Sequence, residues 1–391
     1  MAGRISHGRG AVGPKAARGT IGRVAAEPAI CRVVLAAGGT AGHVFPALAV
    51  YRRLRSQGVE VTLLTDERGK RWAGDFAPDD VQLLPSGGIV TGSPVTRIRN
   101  GAKLGLGLVK SFGAIRRLDP DAVIGMGGYA AVGPLLAAQV LRRRNVLHEQ
   151  NSVMGASNKV TAPRADAVAL SFDPTEGARG ATVVTGNPSR TEIVAIGDDP
   201  FVAPTSDEPF GVLIMGGSQG ATAISSIVPT ALAGLPEPAR TRLRVIHQAR
   251  AEDHDAVTTR YAEAGIKAEV MPFVDVPQSL SSTHLVISRS GASTVCDIAV
   301  ARRAAIYLPL LSHADLQQVK NARGVVEAGG AMLIREDDGP VDQVATAMTA
   351  MIKQLVGDQG QLEAMSDAAR AWSRPDAVDA ILSLVGQSAQ Q

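Results

Sequence analysis

Cysteine is nearly missing from this chain. Only Cys31 and Cys296 occur in 391 residues, far apart and with no CxxC pair. That spacing argues against a disulfide framework and against a zinc site, and it suits a reducing cytoplasm. Long apolar runs are missing as well. Hydrophobic residues make up 45% of the chain, yet no run reaches the ~18 residues of a membrane span, so a soluble or peripheral protein is expected. There is no signal-peptide core either. Residues 1–30 are rich in Gly and Ala and set Arg4, Arg9, Lys15, Arg18 and Arg23 against one acid, Glu27. They read as a disordered arm or as residues upstream of the native start, with docking on anionic lipid as the functional alternative. Net charge is only +3, and no nucleic-acid partner is expected.

What is present is a glycine turn in a telling place. Gly38-Gly39-Thr40-Ala41-Gly42-His43-Val44-Phe45-Pro46 follows the apolar run 33–37 and opens into the helically spaced run 47–54. Strand, glycine turn and helix put backbone N–H groups and a helix N-terminus in front of an anion. The turn is not GxGxxG, so the dinucleotide fingerprint is not met, and it lacks the Lys-Ser/Thr end of a P-loop. It adds a histidine at its mouth, where a proton acceptor working near neutral pH would sit.

The same pattern recurs. Strand-like runs at 59–64, 81–84, 122–126, 146–148 and 167–170 alternate with helical segments, and a second glycine turn spans 127–133. A Pro- and Asp-rich stretch at 191–209 reads as a linker. The alternation then restarts with strands at 211–215, 243–246, 268–271, 285–288 and 305–308, and a third glycine turn at 216–221. From Val341 onward the pattern is helical. The expected fold is α/β, with two Rossmann-like doubly wound domains facing a cleft and ligands at the carboxyl ends of the strands. The expected division is an arm over 1–30, a first domain over 31–190, the linker, a second domain over 210–372, and a C-terminal helix over 373–391 returning toward the first domain.

Six segments in order carry a family likeness: GGTAGHVFPALAV, GMGGYAAVGP, VLHEQNSVMGASNK, VVTGNPSRTEI, GGSQGA and SRSGASTVCDIA. Across roughly residues 31–335 the chain resembles the MurG family, UDP-N-acetylglucosamine transferases that convert lipid I to lipid II in peptidoglycan synthesis. The resemblance implies a GT-B glycosyltransferase fold, with an acceptor-binding first domain and a nucleotide-sugar-binding second domain. It implies transfer to the C4 hydroxyl of the muramic acid with inversion, and no covalent intermediate. Location is expected at the cytoplasmic face of the inner membrane, peripherally. Substrates would be UDP-N-acetylglucosamine and lipid I, with cell-wall synthesis and division proteins as further partners. Two other readings remain open: a UDP-sugar transferase with another lipid or small-molecule acceptor, and a non-catalytic paralogue acting as a cell-wall scaffold.

The resemblance also assigns residues. His43 is the general-base candidate, against a reading as helix cap or phosphate ligand. Gly38, Gly39, Gly127, Gly128, Tyr129 and Gly133 would form the acceptor diphosphate loops, against glycines that only permit close packing. The donor would meet Thr40, Ala41, Gly42, Asn151, Arg190, Ser218, Val274, Ala292, Asp297 and Gln317. Ser218, beside Gln219, would contact the donor diphosphate, where a hydroxyl and helix N–H groups stabilise leaving UDP. Arg190 would approach the same phosphates, against a surface ion pair near the linker. Phe273 and Val274 would frame the uracil, against an apolar core pair. Asp297 stands where the family pattern has Glu, whose carboxylate holds the ribose hydroxyls, and is one methylene shorter.

Other features have plainer readings. Glu149 would partner a nearby cation. Gln317 and Gln318 match glutamines that read the donor sugar, and His313 matches the pattern less well. Arg302 and Arg303 replace the small residues usual before the next strand. Asp253-His254-Asp255 resembles a DxD metal signature but stands where a helix should start. No metal or other cofactor is expected to be required. The basic, apolar segment 97–118 would dock on anionic lipid, against an ordinary helix with one buried stripe. Its glycines at 101, 105, 107 and 113 weaken the helix expectation.

Overall fold

The computed structural model describes residues 30–86, 94–217, 221–311 and 316–386, with side chains of the helix that starts at Pro94 described from residue 105. The expected basic arm before residue 30, and the roles expected of Ser218, Gln219 and His313, lie outside the described residues.

The first half builds one parallel sheet. Its elements in chain order are β1 (Arg32–Ala36), α1 (Ala41–Ser56), β2 (Glu60–Thr65), α2 (Glu67–Lys70), β3 (Val81–Leu83), α3 (Pro94–Leu118) and β4 (Ala122–Gly125). Then come α4 (Tyr129–Val140), β5 (Arg144–Glu149), α5 (Ala156–Thr161), β6 (Ala167–Leu170) and β7 (Thr182–Val184). The strand order is β3-β2-β1-β4-β5-β6-β7. Such strands read as continuous apolar runs because both faces are covered. In β1, Val33 and Leu35 join the core on one face while Val34 and Ala36 join the core on the other.

The second half repeats the plan. It contains α6 (Thr191–Asp198), β8 (Phe210–Met215), α7 (Thr222–Ala233), α8 (Glu237–Arg242), β9 (Leu243–Gln248), α9 (His254–Glu263) and β10 (Lys267–Met271). It continues with α10 (Val276–Ser281), β11 (Leu285–Ser288), α11 (Ala292–Val300), β12 (Ala304–Tyr307), α12 (Gln317–Glu327) and β13 (Ala331–Leu333). Helices α13 (Val341–Gly357), α14 (Gln359–Trp372) and α15 (Ala377–Gly386) end it. The order is β10-β9-β8-β11-β12-β13, again parallel. Each sheet reverses its winding beside its first strand, between β1 and β4 and between β8 and β11. Crevices for ligands open at such points.

Three differences from the sequence reading have physical causes. Residues 191–198, expected as linker, form α6, whose Ile193 is buried and packs into the apolar cluster of α11 in the second domain. The glycine-bearing segment after residue 97 is fully helical. A side chain at Gly107 would strike the Pro85 carbonyl, so at least that glycine serves close packing. The short strands β7 and β13 were not expected and lie at sheet edges.

The chain crosses back after α14. Helix α15 puts Ile381, Leu384 and Val385 into the core of the first domain. Arg53 donates to Asp379 at 2.8 Å, and Arg144 donates to the Leu384 carbonyl at 2.7 Å.

Candidate active site

The first glycine turn links β1 to α1, and Asp66 holds it from beneath. One Asp66 oxygen caps α2 by accepting from the Gly69 N–H at 2.8 Å and also accepts from the Gly39 N–H at 3.0 Å. The other accepts from the Ser86 hydroxyl at 2.6 Å and from Arg68 Nη2 at 3.2 Å. Burial pushes this carboxyl up, but those hydrogen bonds and the Arg68 charge outweigh it and hold it below the ordinary aspartate range.

His43 lies in the first turn of α1, half-buried. Its Nδ1 is 3.0 Å from the Gly38 carbonyl and 3.1 Å from the Thr40 hydroxyl. A carbonyl can only accept, so Nδ1 carries the hydrogen and Nε2 keeps its lone pair. Burial lowers the imidazole pKa; the Gly38 carbonyl and Asp66 oppose that, and Arg68 adds to it. A neutral ring with a free Nε2 is the form that accepts a proton.

The second turn, between β4 and α4, shapes the space for that ring. Gly127 and Gly128 have φ of +85° and +77°, conformations that favour glycine. A Cβ on Gly127 would lie 2.9 Å from His43 Cδ2 and 3.2 Å from Nε2, and one on Gly128 would lie 2.6 Å from the Gly38 carbonyl oxygen. These two glycines therefore seat the imidazole and bring the loops together, besides leaving N–H groups at the α4 start. Tyr129 opens α4 and is half-buried. Gly133 corrects the sequence reading. It is buried inside α4, and a side chain there would strike Ser111 of α3. Its role is helix packing, away from any anion loop.

Behind the histidine runs a buried polar chain. His148 Nε2 meets the Gly186 carbonyl at 3.1 Å, so its Nδ1 accepts from Gln150 Nε2 at 3.0 Å. Gln150 Nε2 also donates to the Met126 carbonyl at 2.6 Å. Burial lowers the His148 pKa to about 4. Glu149 is no partner for a cation. It accepts from the N–H groups of Asn151 and Gly155, both at 2.9 Å, and from Asn158 Nδ2 at 2.7 Å. Burial raises its pKa against those bonds. It fixes the loop that presents Asn151.

The second domain closes the cleft. Ser293, in the first turn of α11, donates to the Gly42 carbonyl at 3.3 Å. The N-termini of α1 and α11, with Ala41, Gly42 and buried Ala292, thus come together, and both favour negative charge. Thr40 is exposed at that mouth. Arg190 stands at the N-cap position of α6 without a side-chain cap bond, lays its guanidinium over Phe45, 5.2 Å from the ring centre, and makes no ion pair among the described residues. The surface ion-pair reading of Arg190 therefore fails. Asp297 is near enough to Arg190 to feel its charge. Burial pushes the Asp297 pKa up to about 6, with the Ser189 hydroxyl and Arg190 opposing.

Gln317 reaches across to the Val153 carbonyl at 3.5 Å, whereas Gln318 turns back to accept from the Leu310 N–H at 2.9 Å. Val274 is half-buried, and Phe273 is 69% exposed, so the pair is not simply core.

Two residues went unrecognised in the sequence. Asp66 stands at the end of the second strand, where a dinucleotide fold keeps a ribose-binding acid; here it pins a glycine turn instead. Asn321 lies one helical turn after Gln317. It is buried, accepts from the Ser152 N–H and hydroxyl, both at 2.9 Å, and donates to Asn151 Oδ1 at 3.3 Å and the Ser290 carbonyl at 3.2 Å. That amide joins the two domains through the loop carrying Asn151.

The paired arginines also find partners. Arg302 takes a left-handed φ of +56° and pairs with Asp367 at 2.7 Å. Buried Arg303 donates to the carbonyls of Leu280, Ala301 and Arg302 and covers the Phe201 ring, and burial lowers its pKa to about 10. Together they fasten the residues after α6. Asp253 stands at the N-cap position of α9 without a side-chain cap bond, and its carboxylate instead pairs with Arg250, 3.2 Å away.

Residues 33–170 match the glycosyltransferase family 28 N-terminal domain, and residues 211–381 match the glycosyltransferase family 28 C-terminal domain. A protein of Methylobacterium sp. (strain 4-46) is 42% identical over 363 residues, covering 91% of this chain and 96% of that protein. Its name is UDP-N-acetylglucosamine--N-acetylmuramyl-(pentapeptide) pyrophosphoryl-undecaprenol N-acetylglucosamine transferase. A Caulobacter vibrioides protein of the same name is 41% identical, covering 91% of this chain and 99% of that protein. Among solved structures, Acinetobacter baumannii MurG superposes with a TM-score of 0.72 at 29% identity, over 91% of this chain and 99% of that one.

Proposed function

The chain belongs to glycosyltransferase family 28, and from that premise we propose that His43 is the base of its transfer reaction. The reaction moves N-acetylglucosamine from UDP-N-acetylglucosamine to lipid I, giving lipid II and UDP for peptidoglycan synthesis. In the proposed mechanism the C4 hydroxyl of the muramic acid attacks the anomeric carbon of the donor sugar. The bond from that carbon to the UDP oxygen breaks, and configuration inverts. The hydroxyl proton passes to His43 Nε2.

The observation that carries this reading is the fixed tautomer. The Gly38 carbonyl holds the hydrogen on Nδ1 and leaves Nε2 unoccupied beside the second glycine turn. The charge that grows on departing UDP falls to the α11 N-terminus and to Arg190. No cofactor is assigned a step.

Membrane docking is part of the same proposal. Among the described residues no helix is long and apolar enough to cross a membrane. Helix α3 instead exposes Leu106, Val109 and Phe112, with Lys110, Arg116 and Arg117 also exposed. An apolar face with flanking cations suits the anionic cytoplasmic surface of the inner membrane, where a prenyl-anchored acceptor is delivered.

The test is transfer of radiolabel from UDP-N-acetylglucosamine to a short-chain lipid I analogue, with EDTA present. Label on the acceptor is expected. Donor binding without transfer would point to another acceptor, and loss of transfer in EDTA alone would overturn the cofactor-free mechanism.

A further inference from the structure

Among the described residues, Arg68 is the cation at the first glycine turn that has no part in the proposed mechanism. We infer that its guanidinium grips the diphosphate of the acceptor, making Arg68 a binding residue for lipid I; this rests on the transferase reading.

The geometry separates Arg68 from its partner. Asp66 is buried, with its side chain only 6% exposed, and already accepts from Gly39, Gly69 and Ser86. Its needs are met without Arg68. The Arg68 side chain is 59% exposed and spends only Nε and Nη2, at 3.4 and 3.2 Å, on one Asp66 oxygen. Its Nη1 makes no hydrogen bond among the described residues, and a guanidinium fork suits phosphate oxygens.

The space beside it is kept open. A Cβ on Gly39 would lie 3.5 Å from Arg68 Nη2, and among the described residues nothing but Arg68 comes within 4 Å of it. Gly39, at φ +85°, is the residue whose missing side chain leaves that gap. An anion there would meet the guanidinium on one side and the α1 N-terminus on the other. The chemistry required is a diphosphate, and both substrates contain one. Side favours the acceptor, because Arg68, Asp66 and Gly39 belong to the first domain, which also carries the exposed apolar and basic face of α3 proposed to meet the membrane.

Arg68 also acts on the base. The charged or titratable groups that His43 senses are Asp66, Arg68 and His148, and Arg68 opposes protonation. Acceptor diphosphate would offset that charge and strengthen His43 as a base once substrate is bound.

The experiment compares wild type with Arg68→Gln and Arg68→Lys. Acceptor KM is expected to rise about tenfold or more in Arg68→Gln, the scale of a charge-assisted hydrogen bond. Donor KM should stay within about twofold, and Arg68→Lys should recover part of the loss. The acid limb of kcat/KM should move to higher pH in Arg68→Gln, which a structural prop would not cause. Calorimetry with farnesyl diphosphate and no donor gives a readout independent of transfer: binding to wild type and loss in Arg68→Gln are expected. If wild type binds that probe but transfers nothing to lipid I, the transferase reading falls and this site stands. Equal rises in both KM values, or unchanged acceptor KM with unchanged probe binding, would overturn the inference.

Discussion

His43 and His148 are the same side chain at the carboxyl end of the same sheet, and they are left in opposite states. Each is fixed by a glycine carbonyl: Nδ1 of His43 by Gly38, and Nε2 of His148 by Gly186. Each has its pKa lowered by burial. The difference lies in the other nitrogen. In His148 it accepts from Gln150, and the ring is fully buried. In His43 it has no partner among the described residues and lies beside Gly127. One imidazole is therefore a strut and the other is available for proton transfer. The lesson is that depressed basicity alone does not mark a base; the free lone pair does.

The sharpest way to break this contrast is His43→Ala. Turnover should fall by about two orders of magnitude or more, the usual scale for a general base. UDP-N-acetylglucosamine binding, read by calorimetry, should largely survive. Near-normal turnover would remove His43 from the chemistry.

The strut should answer differently. His148→Leu leaves the Gln150 amide and the Gly186 carbonyl short of partners, so a stability loss of about 2–4 kcal/mol is expected in urea unfolding. Activity per folded molecule should change far less than in the His43 variant. His148 also predicts an acid weakness. Its pKa in the fold is about 4 against an ordinary histidine value of 6.5, so the unfolded chain binds more protons between those values. Stability present above pH 6.5 is then lost as pH falls toward 4, and His148→Leu should flatten that slope.

A smaller effect tests the seat of the base. Gly127→Ala forces a side chain against His43 at a backbone angle that alanine avoids. About a tenfold loss in kcat is expected, with donor KM little changed. Smallest of all should be Thr40→Ala. The Thr40 hydroxyl shares the Nδ1 hydrogen with Gly38, and the carbonyl alone should hold the tautomer. A loss beyond about threefold in kcat would show that the carbonyl does not suffice.

Local chemistry made much of this readable in the sequence. Apolar runs ending in glycine turns revealed β1, β4 and β8, because strand, turn and helix signals lie within a dozen residues of one another. His43 was legible for the same reason. What escaped was decided by distant partners. Asp66 acquires its role from Gly39, 27 positions away, and Asn321 from Ser152, 169 positions away. Arg302 and Arg303 looked unexplained until Asp367 and Phe201 were placed beside them. Helix α6 was hidden by the acids and prolines that follow it, though Ile193 had the burial to make. Gly133 misled in the other direction: a glycine that sits near a turn in sequence can belong to a helix contact in space.

The two places where the chain passes between domains touch one another. Gly186, just before the first passage, has no room for a side chain because Arg374 and Ala377 of the second passage press on it. The domains are thus joined like a book by a double-stitched spine, which holds the two covers together along one side. The His148 carbonyl bond ties that spine to the page behind the base. Because α15 packs into the first domain, β1 and α15 ride on one cover. Fluorophores attached to those two elements should keep a constant distance through any opening of the cleft, whereas a pair on β1 and α13 would report it.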